Sequence, residues 1–337
     1  MKYIKEDLID SLLPHDELHA VLRTAFVVSL TPATVTPPRL ALNAPLGVTL
    51  IKPCMIPMDD TLVMGTKIVS VRSDNSKYNE SNVPSTIVMI DCITGAVSHI
   101  LPGDLITARR TAGASGVATA VMHDSDGGYL YLTVFGAGIQ GEEHVHTMVL
   151  IRPKINHVTI VNRSQPRLTA LLEKLRQRYP NVEFCGILNS QQDEISAAIS
   201  KSDIVCCCAS RTPGSESGKT PLFDGSLLKA GAHVNSVGSF TPDTREIDKN
   251  ILTRSKGRIT IDDDGARSVG DFVLEGVEGA ELSILGKYMN EQKCNATTDG
   301  EIGDITFFKS VGVGWLDVIA GRVVINNANK MEDSFDI

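Results

Sequence analysis

The fold of this chain is decided by three neighbouring segments: Leu130-Tyr-Leu-Thr-Val-Phe135, Gly136-Ala-Gly-Ile-Gln-Gly141 and His157-Val-Thr-Ile-Val161-Asn-Arg-Ser164. The first and third are apolar and rich in β-branched or aromatic residues, which predicts two strands. Residues 139–151 between them have the composition of a helix. A strand, a G-x-G-x-x-G turn, a helix and a second strand form a βαβ unit, and in that context the glycine spacing predicts a dinucleotide site.

The turn is expected to contact the pyrophosphate of a dinucleotide through its backbone. Gly136 permits a tight turn, Gly138 permits close approach of the phosphates, and Gly141 permits close packing of the helix on the strand. Free N–H groups and the positive end of the helix dipole would then face the anion. The alternative is a glycine-rich turn that binds nothing. The predicted cofactor contacts are Gly136, Ala137, Gly138, Ile139, Gln140 and Gly141.

Composition excludes several classes of protein. The chain has 337 residues, a formal net charge of −8, 42% hydrophobic and 21% charged residues, which is typical of a globular protein of about two domains. An acidic balance argues against nucleic acid as a partner. No apolar stretch is long enough to span a membrane, and we expect no metal site. Seven cysteines without C-x-x-C pairs favour reduced thiols and a cytoplasmic location.

The order of the predicted elements indicates two domains. Strands at 47–57, 62–71, 85–91 and 96–101 precede a helix at 103–122, whereas strands and helices alternate from residue 130 onward. We therefore predict an α/β fold in which a Rossmann doubly wound parallel sheet is inserted in a second α+β dimerisation and substrate domain. The predicted domains are 1–122 with 305–337, and 123–304. Helices are expected at 268–290 and at Trp315–Val323.

The end of the second strand bears on the choice of cofactor. NAD-binding folds usually place an acidic residue there to hold the ribose 2′-hydroxyl. This chain has Asn162, Arg163 and Ser164, with Arg167 one turn later. Arginine and hydroxyl groups suit a 2′-phosphate, so NADP(H) is favoured and NAD(H) is less favoured. The alternative is that Arg163 is only a solvated surface charge.

Three cationic residues outside the nucleotide unit suggest an anionic substrate. Arg39 follows two prolines, Lys67 interrupts an apolar strand, and Arg110 lies beside Arg109 in a helix of small residues. A lysine in a strand core is costly unless it is paired or contacts a ligand. For each residue alone a structural salt bridge is the commoner explanation. Together with a nucleotide site, they suit a substrate that carries a carboxylate.

Motifs spread over most of the chain resemble those of the ornithine cyclodeaminase/μ-crystallin family. They are Pro38-Arg-Leu40, Gly65-Thr-Lys-Ile-Val-Ser70, Ile106-Thr-Ala-Arg-Arg-Thr-Ala112, the glycine turn, Asn162-Arg-Ser164, Asn235-Ser-Val-Gly-Ser-Phe-Thr-Pro-Asp243 and Phe308-Lys-Ser-Val-Gly312. The resemblance implies a homodimer formed through the β-rich domain, with an active site at the cleft between domains. Ornithine cyclodeaminases carry a catalytic Asp where this chain has Phe240. That departure and the absence of an acidic residue at Asn162-Arg163 both favour the μ-crystallin-like branch of the family. For this branch the resemblance implies NADPH and reduction of a C=N bond.

On this interpretation the substrate is a cyclic 2-imino acid. Arg39 and Arg110 would hold its carboxylate, and Lys67 or a water would supply the proton at nitrogen. Thr86, Thr111 and Ser310 are further candidate cofactor contacts. The alternatives are a non-catalytic, NADPH-regulated binder of small carboxylates, or an amino-acid dehydrogenase or cyclodeaminase of the same family.

Other polar or cysteine-rich segments are assigned structural roles. His144 and His146 point to different faces of one helix, so they cannot chelate together, and we expect a partly exposed surface. Asp262-Asp-Asp264 is expected to end a strand and cap the next segment. Cys206–Cys208 would alternate between the faces of a buried strand as small apolar residues.

Overall fold

The computed structural model of the chain describes residues 1–44, 46–72, 75–124, 128–276, 281–293 and 303–333. Two compact units result, Met1–Gly113 with Gly312–Ile337, here called the first unit, and Ala114–Val311, the second unit. The sequence prediction places the domain boundaries after residue 122, where α3 ends, and before residue 305, just ahead of the strand that begins at Thr306. That division at 122 and 305 stays a prediction.

The described residues of the first part of the chain form six strands and three α-helices. They are β1 (Lys2–Tyr3), α1 (Ile9–Leu12), α2 (His15–Val28), β2 (Leu40–Ala44), β3 (Gly47–Met58), β4 (Thr61–Val71), β5 (Ser85–Ile90), β6 (Val97–Pro102) and α3 (Asp104–Met122). Short 3₁₀ helices cover Glu6–Leu8 and Asn75–Tyr78. Pro14 is the N-cap residue of α2, where its missing N–H costs no hydrogen bond.

The middle of the chain alternates strands and helices. They are β7 (Leu130–Phe135), α4 (Ile139–Ile151), β8 (Ile155–Asn162), α5 (Gln165–Arg178), β9 (Glu183–Leu188), α6 (Gln192–Lys201), β10 (Ile204–Cys207), α7 (Glu216–Lys219), β11 (His233–Ser236), α8 (Lys249–Arg254), β12 (Ile259–Ile261), α9 (Gly270–Val273), β13 (Ser283–Ile284), α10 (Leu285–Lys293) and β14 (Thr306–Lys309). Further 3₁₀ helices cover Gly225–Leu227 and Asp264–Ser268. The last element among the described residues is α11 (Gly314–Asp333).

The first unit contains a six-stranded sheet in the order β1-β6-β5-β4-β3-β2. Its pairs are antiparallel except for β1 with β6. Burial alternates along β3 and β4, so one face of the sheet is turned to the core, and α11 packs against these two strands. Phe26 of α2 meets Trp315 of α11 edge-on at 4.9 Å between ring centroids. The sheet and the two helices thus form the core of this unit.

The second unit contains an eight-stranded parallel sheet in the order β13-β12-β14-β11-β10-β7-β8-β9. The chain runs outward from β7 to β9 and then returns to the other side of β7 as β10. The carboxyl ends of β7 and β10 therefore form the topological switch point, where open α/β sheets bind ligands. The predicted fold class, an α/β chain with a Rossmann-type parallel sheet and a second sheet-containing unit, is confirmed.

Two helix predictions near the carboxyl terminus were wrong in extent. Residues 268–290 form separate short elements, because Gly276 takes a φ of +65° that breaks the helix, and β13 then joins the sheet before α10 begins. Residues 277–280 within that prediction lie outside the described residues. The last helix is longer than Trp315–Val323 and runs from Gly314 to Asp333, because its apolar face continues over the first sheet.

None of the helices that the structure describes is both long enough and apolar enough to cross a membrane.

Candidate active site

The first unit buries a cluster of charged side chains around Asp317. Lys67 points from the core face of β4, and its Nζ donates to Asp317 Oδ1 at 2.6 Å and to Thr107 Oγ1 at 3.2 Å. Arg110, from α3, donates through Nε to the same carboxylate oxygen at 2.7 Å. Asp317 projects from the first turn of α11 and is fully buried. The structure therefore brings together two of the three cations selected from the sequence.

The charges in this cluster and their burial shift the pKa values of Lys67 and Asp317. Burial lowers the pKa of Lys67 well below its usual value, and the positive charges of Arg110 and Lys52 lower it further, while Asp317 opposes the shift. Burial alone would raise the pKa of Asp317, but Arg110, Lys67 and Lys52 together hold it below its usual value. Arg110 Nη1 and Asp317 Oδ2 are buried and have no hydrogen-bond partner among the described residues. Such unsatisfied groups are the sign of a site that binds something polar.

Lys52 is a third buried cation in this cluster, and the sequence interpretation missed it. Its Nζ donates to the carbonyl oxygen of Gly312 at 2.9 Å. Gly312 has a φ of +75°, and a Cβ there would lie 2.8 Å from both terminal nitrogens of Arg110. Lys52 stands inside the apolar segment Leu50-Ile-Lys-Pro-Cys54, which is the same signal that selected Lys67. The lone Asp317 in the apolar run Trp315–Ala320 could have been found in the same way.

The other two arginines of the sequence interpretation lie elsewhere in the first unit. Arg109 is buried and has a structural role. Its Nη1 donates to the carbonyl oxygens of Asp10 and Leu13, and its Nη2 pairs with Asp10 Oδ1 at 2.5 Å. Arg39 is half-buried in the extended segment that leads into β2. A role for Arg39 in substrate binding still depends on the sequence alone.

The glycine turn between β7 and α4 has the backbone shape that a dinucleotide requires. Gly136 has a φ of +114°, and a Cβ there would lie 2.8 Å from the carbonyl oxygen of Cys208. A Cβ on Gly141 would overlap the carbonyl oxygen of Gly136, so α4 packs directly on the turn. A Cβ on Gly138 would instead enter open space at the start of α4, where no described side chain caps the helix. First-turn N–H groups are thus left available for an anion.

The end of β8 continues this site without a carboxylate. Asn162 Oδ1 accepts from the N–H of Ala137 at 3.2 Å, and its Nδ2 donates to the carbonyl oxygen of Ser164 at 3.0 Å. The side chain therefore ties the glycine turn to the next loop. Arg163 and Arg167 are exposed, and neither forms an ion pair with any residue that the structure describes. Ser164 precedes α5 without using its hydroxyl as a cap.

The remaining candidate contacts differ in accessibility. Thr86 is exposed on β5, whereas Thr111 is buried and donates to the carbonyl oxygen of Thr107 at 2.7 Å. Ser310 is buried after β14 and donates to Asp262 Oδ2 at 2.7 Å. Ile139 and Gln140 lie in the first turn of α4, with Ile139 exposed. Their predicted roles as cofactor contacts stay predictions.

A second buried charge cluster, at the carboxyl ends of β11 and β14, was also missed. Lys309 Nζ pairs with Asp271 Oδ2 at 2.6 Å and donates to Ser239 Oγ at 2.6 Å. Glu246 Oε2 accepts from the Ser236 hydroxyl at 2.8 Å, and Oε1 is buried without a partner among the described residues. Burial raises the pKa of Glu246 to about 7. Lys309 ends the apolar run Thr306-Phe-Phe-Lys309, so it carried the same signal as Lys67.

The expectation that the two histidines of α4 are partly exposed was wrong. His144 is buried between the carbonyl oxygen of Gln140, 2.7 Å from Nδ1, and the hydroxyl of Ser115, 3.0 Å from Nε2. His146 is buried against the hydroxyl of Tyr179 at 2.9 Å. Both histidines are covered because Ser115 of α3 and Tyr179, which follows α5, supply polar partners, and helical spacing alone does not reveal such partners. Burial lowers the pKa of His144 to about 4.

The structural role expected for the acidic segment is confirmed, and that of the cysteine segment is confirmed for Cys206 and Cys207, whereas Cys208 follows the end of β10. Asp263 caps the 3₁₀ helix at Asp264–Ser268 by accepting from the N–H of Gly265. Asp262 also binds the N–H of Val311 at 3.1 Å. Cys206 and Cys207 lie in separate apolar clusters on the two faces of the parallel sheet.

The switch-point turn and the parallel sheet define a dinucleotide-binding protein of the α/β class. Its family follows from comparison with known sequences. The sequence model of the ornithine cyclodeaminase/mu-crystallin family matches residues 8–332, and the chain belongs to that family. The resemblance seen in the motifs is thereby confirmed.

Known proteins similar to the whole chain include reductases. Protein SAR DEFICIENT 4 of Arabidopsis thaliana is 26% identical over 330 residues, covering 96% of each chain. A Delta(1)-pyrroline-2-carboxylate reductase of Colwellia psychrerythraea is 26% identical over 274 residues, covering 80% of this chain and 82% of that protein. The structure of Thermococcus litoralis Delta(1)-pyrroline-2-carboxylate reductase in complex with NADH and L-proline is similar in fold, with a TM-score of 0.85, 24% identity and 98% of each chain covered.

Proposed function

We propose that this chain is an NAD(P)H-dependent oxidoreductase that reduces the C=N bond of a cyclic 2-imino carboxylic acid. The observation that carries the proposal is the buried Lys67–Asp317–Arg110 cluster, in which Arg110 Nη1 has no partner among the described residues. A desolvated guanidinium group with a free donor suits a carboxylate. Relatives that are pyrroline-2-carboxylate reductases support the same substrate class.

The chain's own residues have separate tasks in this proposal. Arg110 binds the substrate carboxylate through Nη1, with Arg39 as a second arginine for the same group. Lys67 holds a proton for the imine nitrogen, because its lowered pKa makes the ammonium group a better acid than an exposed lysine. Asp317 fixes the directions of Lys67 and Arg110. A nicotinamide cofactor, when bound, would supply a hydride, and that hydride together with the proton from Lys67 would convert C=N to CH–NH.

NADP(H) is the proposed cofactor, with NAD(H) as the alternative. Arg163, Ser164 and Arg167 follow β8 with free polar groups, and Asn162 is engaged with the glycine turn. The similar Thermococcus litoralis structure holds NADH, which makes NAD(H) the alternative. We expect fluorescence titration to show tighter binding of NADPH, and Arg163→Ala to reduce the preference for NADPH over NADH about tenfold. The exposed Arg23→Ala on α2 is the control. Tighter binding of NADH by the wild type would refute the proposal.

The reductase assay tests the function directly. We expect oxidation of NADPH or NADH in the presence of 1-piperideine-2-carboxylate or 1-pyrroline-2-carboxylate. Lys67→Ala should abolish turnover while the affinity for the cofactor stays the same, and Lys287→Ala, an exposed lysine of α10, is the control. Full activity of Lys67→Ala would remove Lys67 from the mechanism. Binding of both ligands without turnover by the wild type would instead indicate a non-catalytic, NADPH-regulated binder.

Ornithine cyclodeamination is disfavoured by the residues after β11. Phe240 stands where the cyclodeaminases are expected to have their catalytic Asp. The nearest following carboxylate, Asp243, accepts from Thr241 Oγ1 at 2.8 Å and from the N–H of Gly214 at 2.6 Å. A carboxylate that is held by two donors serves the loop structure, so it is a poor substitute for a catalytic group. Reduction therefore remains the preferred proposal over cyclodeamination.

Homodimer formation and a cytoplasmic location complete the proposal. All five residues of the edge strand β2 are exposed, and Leu40 and Leu42 expose 55% and 51% of their surface. An apolar edge strand of this kind suits pairing with a second copy of the chain. The described cysteines are free thiols, which suits a reducing compartment.

A further inference from the structure

A chain of hydrogen bonds connects the buried Lys67 to a carboxylate at the start of α3. Lys67 Nζ donates to Thr107 Oγ1 at 3.2 Å, and the hydroxyl oxygen of Thr107 lies 3.3 Å from that of Ser85. The Ser85 hydroxyl in turn donates to Asp104 Oδ1 at 3.2 Å. All four residues belong to the first unit, and each hydroxyl in the chain can both donate and accept a hydrogen bond.

The positions of these residues in the sequence explain their alignment. Asp104 and Thr107 are three residues apart in α3, so their side chains share one face of the helix. Ser85 begins β5 and pairs with Val69 of β4, two residues after Lys67, so the side chains of Ser85 and Lys67 lie on the same face of the sheet. The backbone N–H of Ser85 also donates to Asp104 Oδ1 at 2.7 Å, which ties the start of β5 to the start of α3.

Burial separates Lys67 from the water that could exchange protons with it. Only 1% of its surface is exposed, and its partner Asp317 is fully buried. The surrounding cations hold the pKa of Asp317 below its usual value, so this carboxylate is a poor proton store. The contact with Thr107 leads instead toward Ser85 and Asp104, which are half-buried. Both bonds from Ser85 go to Asp104 Oδ1, and no described residue donates to Oδ2, so Oδ2 can take a proton from water.

We propose that Thr107, Ser85 and Asp104 form a proton relay that returns a proton to Lys67 after each turnover. This inference rests on the proposed function, in which Lys67 gives a proton to the imine nitrogen. The lysine is then a neutral amine with a free electron pair, and Asp104 takes a proton from water. An N–H bond forms at Lys67 as the O–H bond of Thr107 breaks, Thr107 takes the proton of Ser85, and Ser85 takes that of Asp104. The Asp104 carboxylate is thereby regenerated, and water has supplied the proton that the imine consumed.

Two variants interrupt the relay without removing a contact of Lys67. Ser85→Ala removes the hydroxyl but keeps the N–H that binds Asp104 Oδ1, and Asp104→Asn keeps an acceptor for that N–H but cannot carry the proton. Asp104→Asn also replaces Ser85→Ala if the latter does not fold. Ser98→Ala is the matched control, because the Ser98 hydroxyl, on the neighbouring strand β6, donates to the carbonyl oxygen of Met89 and lies outside the relay.

Hydrogen exchange tests the relay without turnover. In protein with isotope-labelled lysine side chains, NMR measures how fast the Nζ hydrogens of Lys67 exchange with water, at a pH at which the ammonium form is observed. The signal is assigned by its loss in Lys67→Arg. We expect exchange to slow at least about tenfold in Ser85→Ala and in Asp104→Asn, and to stay unchanged in Ser98→Ala. Equal exchange rates in Ser85→Ala and the wild type would overturn the proposal.

Rapid-mixing kinetics separates the relay from a structural role of Ser85. With NADPH bound and 1-pyrroline-2-carboxylate added, the first turnover uses the proton that Lys67 already holds, so its rate should be the same in Ser85→Ala and the wild type. The steady-state kcat should fall at least about tenfold, because later turnovers need a new proton. An equal loss in the first turnover would mean that Ser85 only places Lys67, which would overturn the relay. Absence of NADPH oxidation by the wild type would instead refute the reductase proposal, and the exchange rates would then decide the relay alone.

Discussion

Asp317 orients the two cationic side chains that lie around it. One buried carboxylate oxygen accepts from both Lys67 and Arg110, so it fixes two cations that come from different elements. Removing one partner from such a cluster leaves uncompensated buried charge, which costs about 3–5 kcal/mol. The lysine was recognisable from the sequence as a cation in an apolar strand. The pairing of this lysine with Asp317 was not recognisable, because the two residues lie 250 positions apart in the chain.

Replacing Asp317 by Asn should change the pH dependence of catalysis. Burial lowers the pKa of Lys67 and Asp317 opposes that shift, so the pKa should fall further in Asp317→Asn. If protonated Lys67 supplies the proton, the decline of kcat/KM with rising pH should move about one unit or more toward lower pH. Asp10→Asn, which removes the exposed partner of Arg109, is the control. An unchanged pH profile in Asp317→Asn would contradict the proton role of Lys67.

Glu246 should make folding stability depend on pH. Burial raises the pKa of Glu246 to about 7 in the folded protein, from its ordinary value of 4.5. Between these values the folded state binds more protons than the unfolded state, so the contribution is complete below about pH 4.5 and is lost as pH rises to about 7. The loss is on the order of 3 kcal/mol.

Comparison with a variant isolates this effect from other buried groups. The free energy of unfolding of Glu246→Gln, relative to that of the wild type, should increase between pH 4.5 and pH 7.5, as measured by urea denaturation. His144, whose pKa is lowered to about 4, gives stability an opposite slope with pH in both proteins, and that slope cancels in the difference. A difference that is constant with pH would show that Glu246 titrates normally.

The β7–α4 turn shows how an element can be inferred from spacing alone. Glycine suits the three positions for different physical reasons, which are positive φ at Gly136, open space at Gly138 and close helix packing at Gly141. These reasons are local, so the sequence contained them. By contrast, residues 268–290 were predicted as helical, although Gly276 and the pairing of β13 with β12 break that segment. Strand pairing with a distant segment is not encoded in local periodicity.

Substitution of the glycines should separate folding from cofactor binding. Gly141→Ala should lower the melting temperature, because its Cβ would overlap the carbonyl oxygen of Gly136. Gly138→Ala should leave the melting temperature unchanged but weaken cofactor binding about tenfold, since its Cβ enters the space that a phosphate would use. Gly128→Ala also meets open space and serves as the control for both measurements. Unchanged cofactor affinity in Gly138→Ala would argue against this turn as the binding site.

At the scale of the whole molecule, the chain forms two sheets that differ in strand direction and in burial. The antiparallel sheet has one buried face and one half-buried face, which carries Ile51 and Met64, whereas the parallel sheet is buried on both faces. The antiparallel sheet leaves β2 as an exposed edge with an apolar surface. Monomeric proteins usually protect such an edge with charge or proline, so its exposure suits an interface between two copies.

The edge strand should control the oligomeric state. We expect the wild type to elute as a homodimer in size-exclusion chromatography with light scattering. The double variant Leu40→Glu and Leu42→Glu should be monomeric, because charged side chains are disfavoured in an apolar interface. Ile93→Glu, at an exposed hairpin turn of the same unit, is the control. A monomeric wild type would contradict the homodimer.

The sequence by itself determined the βαβ unit, the parallel sheet, the family motifs and the two cations Lys67 and Arg110. These depend on local spacing, on turn chemistry and on the cost of placing a cation in an apolar segment. Only the tertiary structure decided that Asp317 pairs with both cations, that Lys52 opposes Lys67, and that Lys309, Asp271 and Glu246 form a second buried cluster. These contacts join residues distant in the chain, and burial sets their charge states, so no local pattern specifies them.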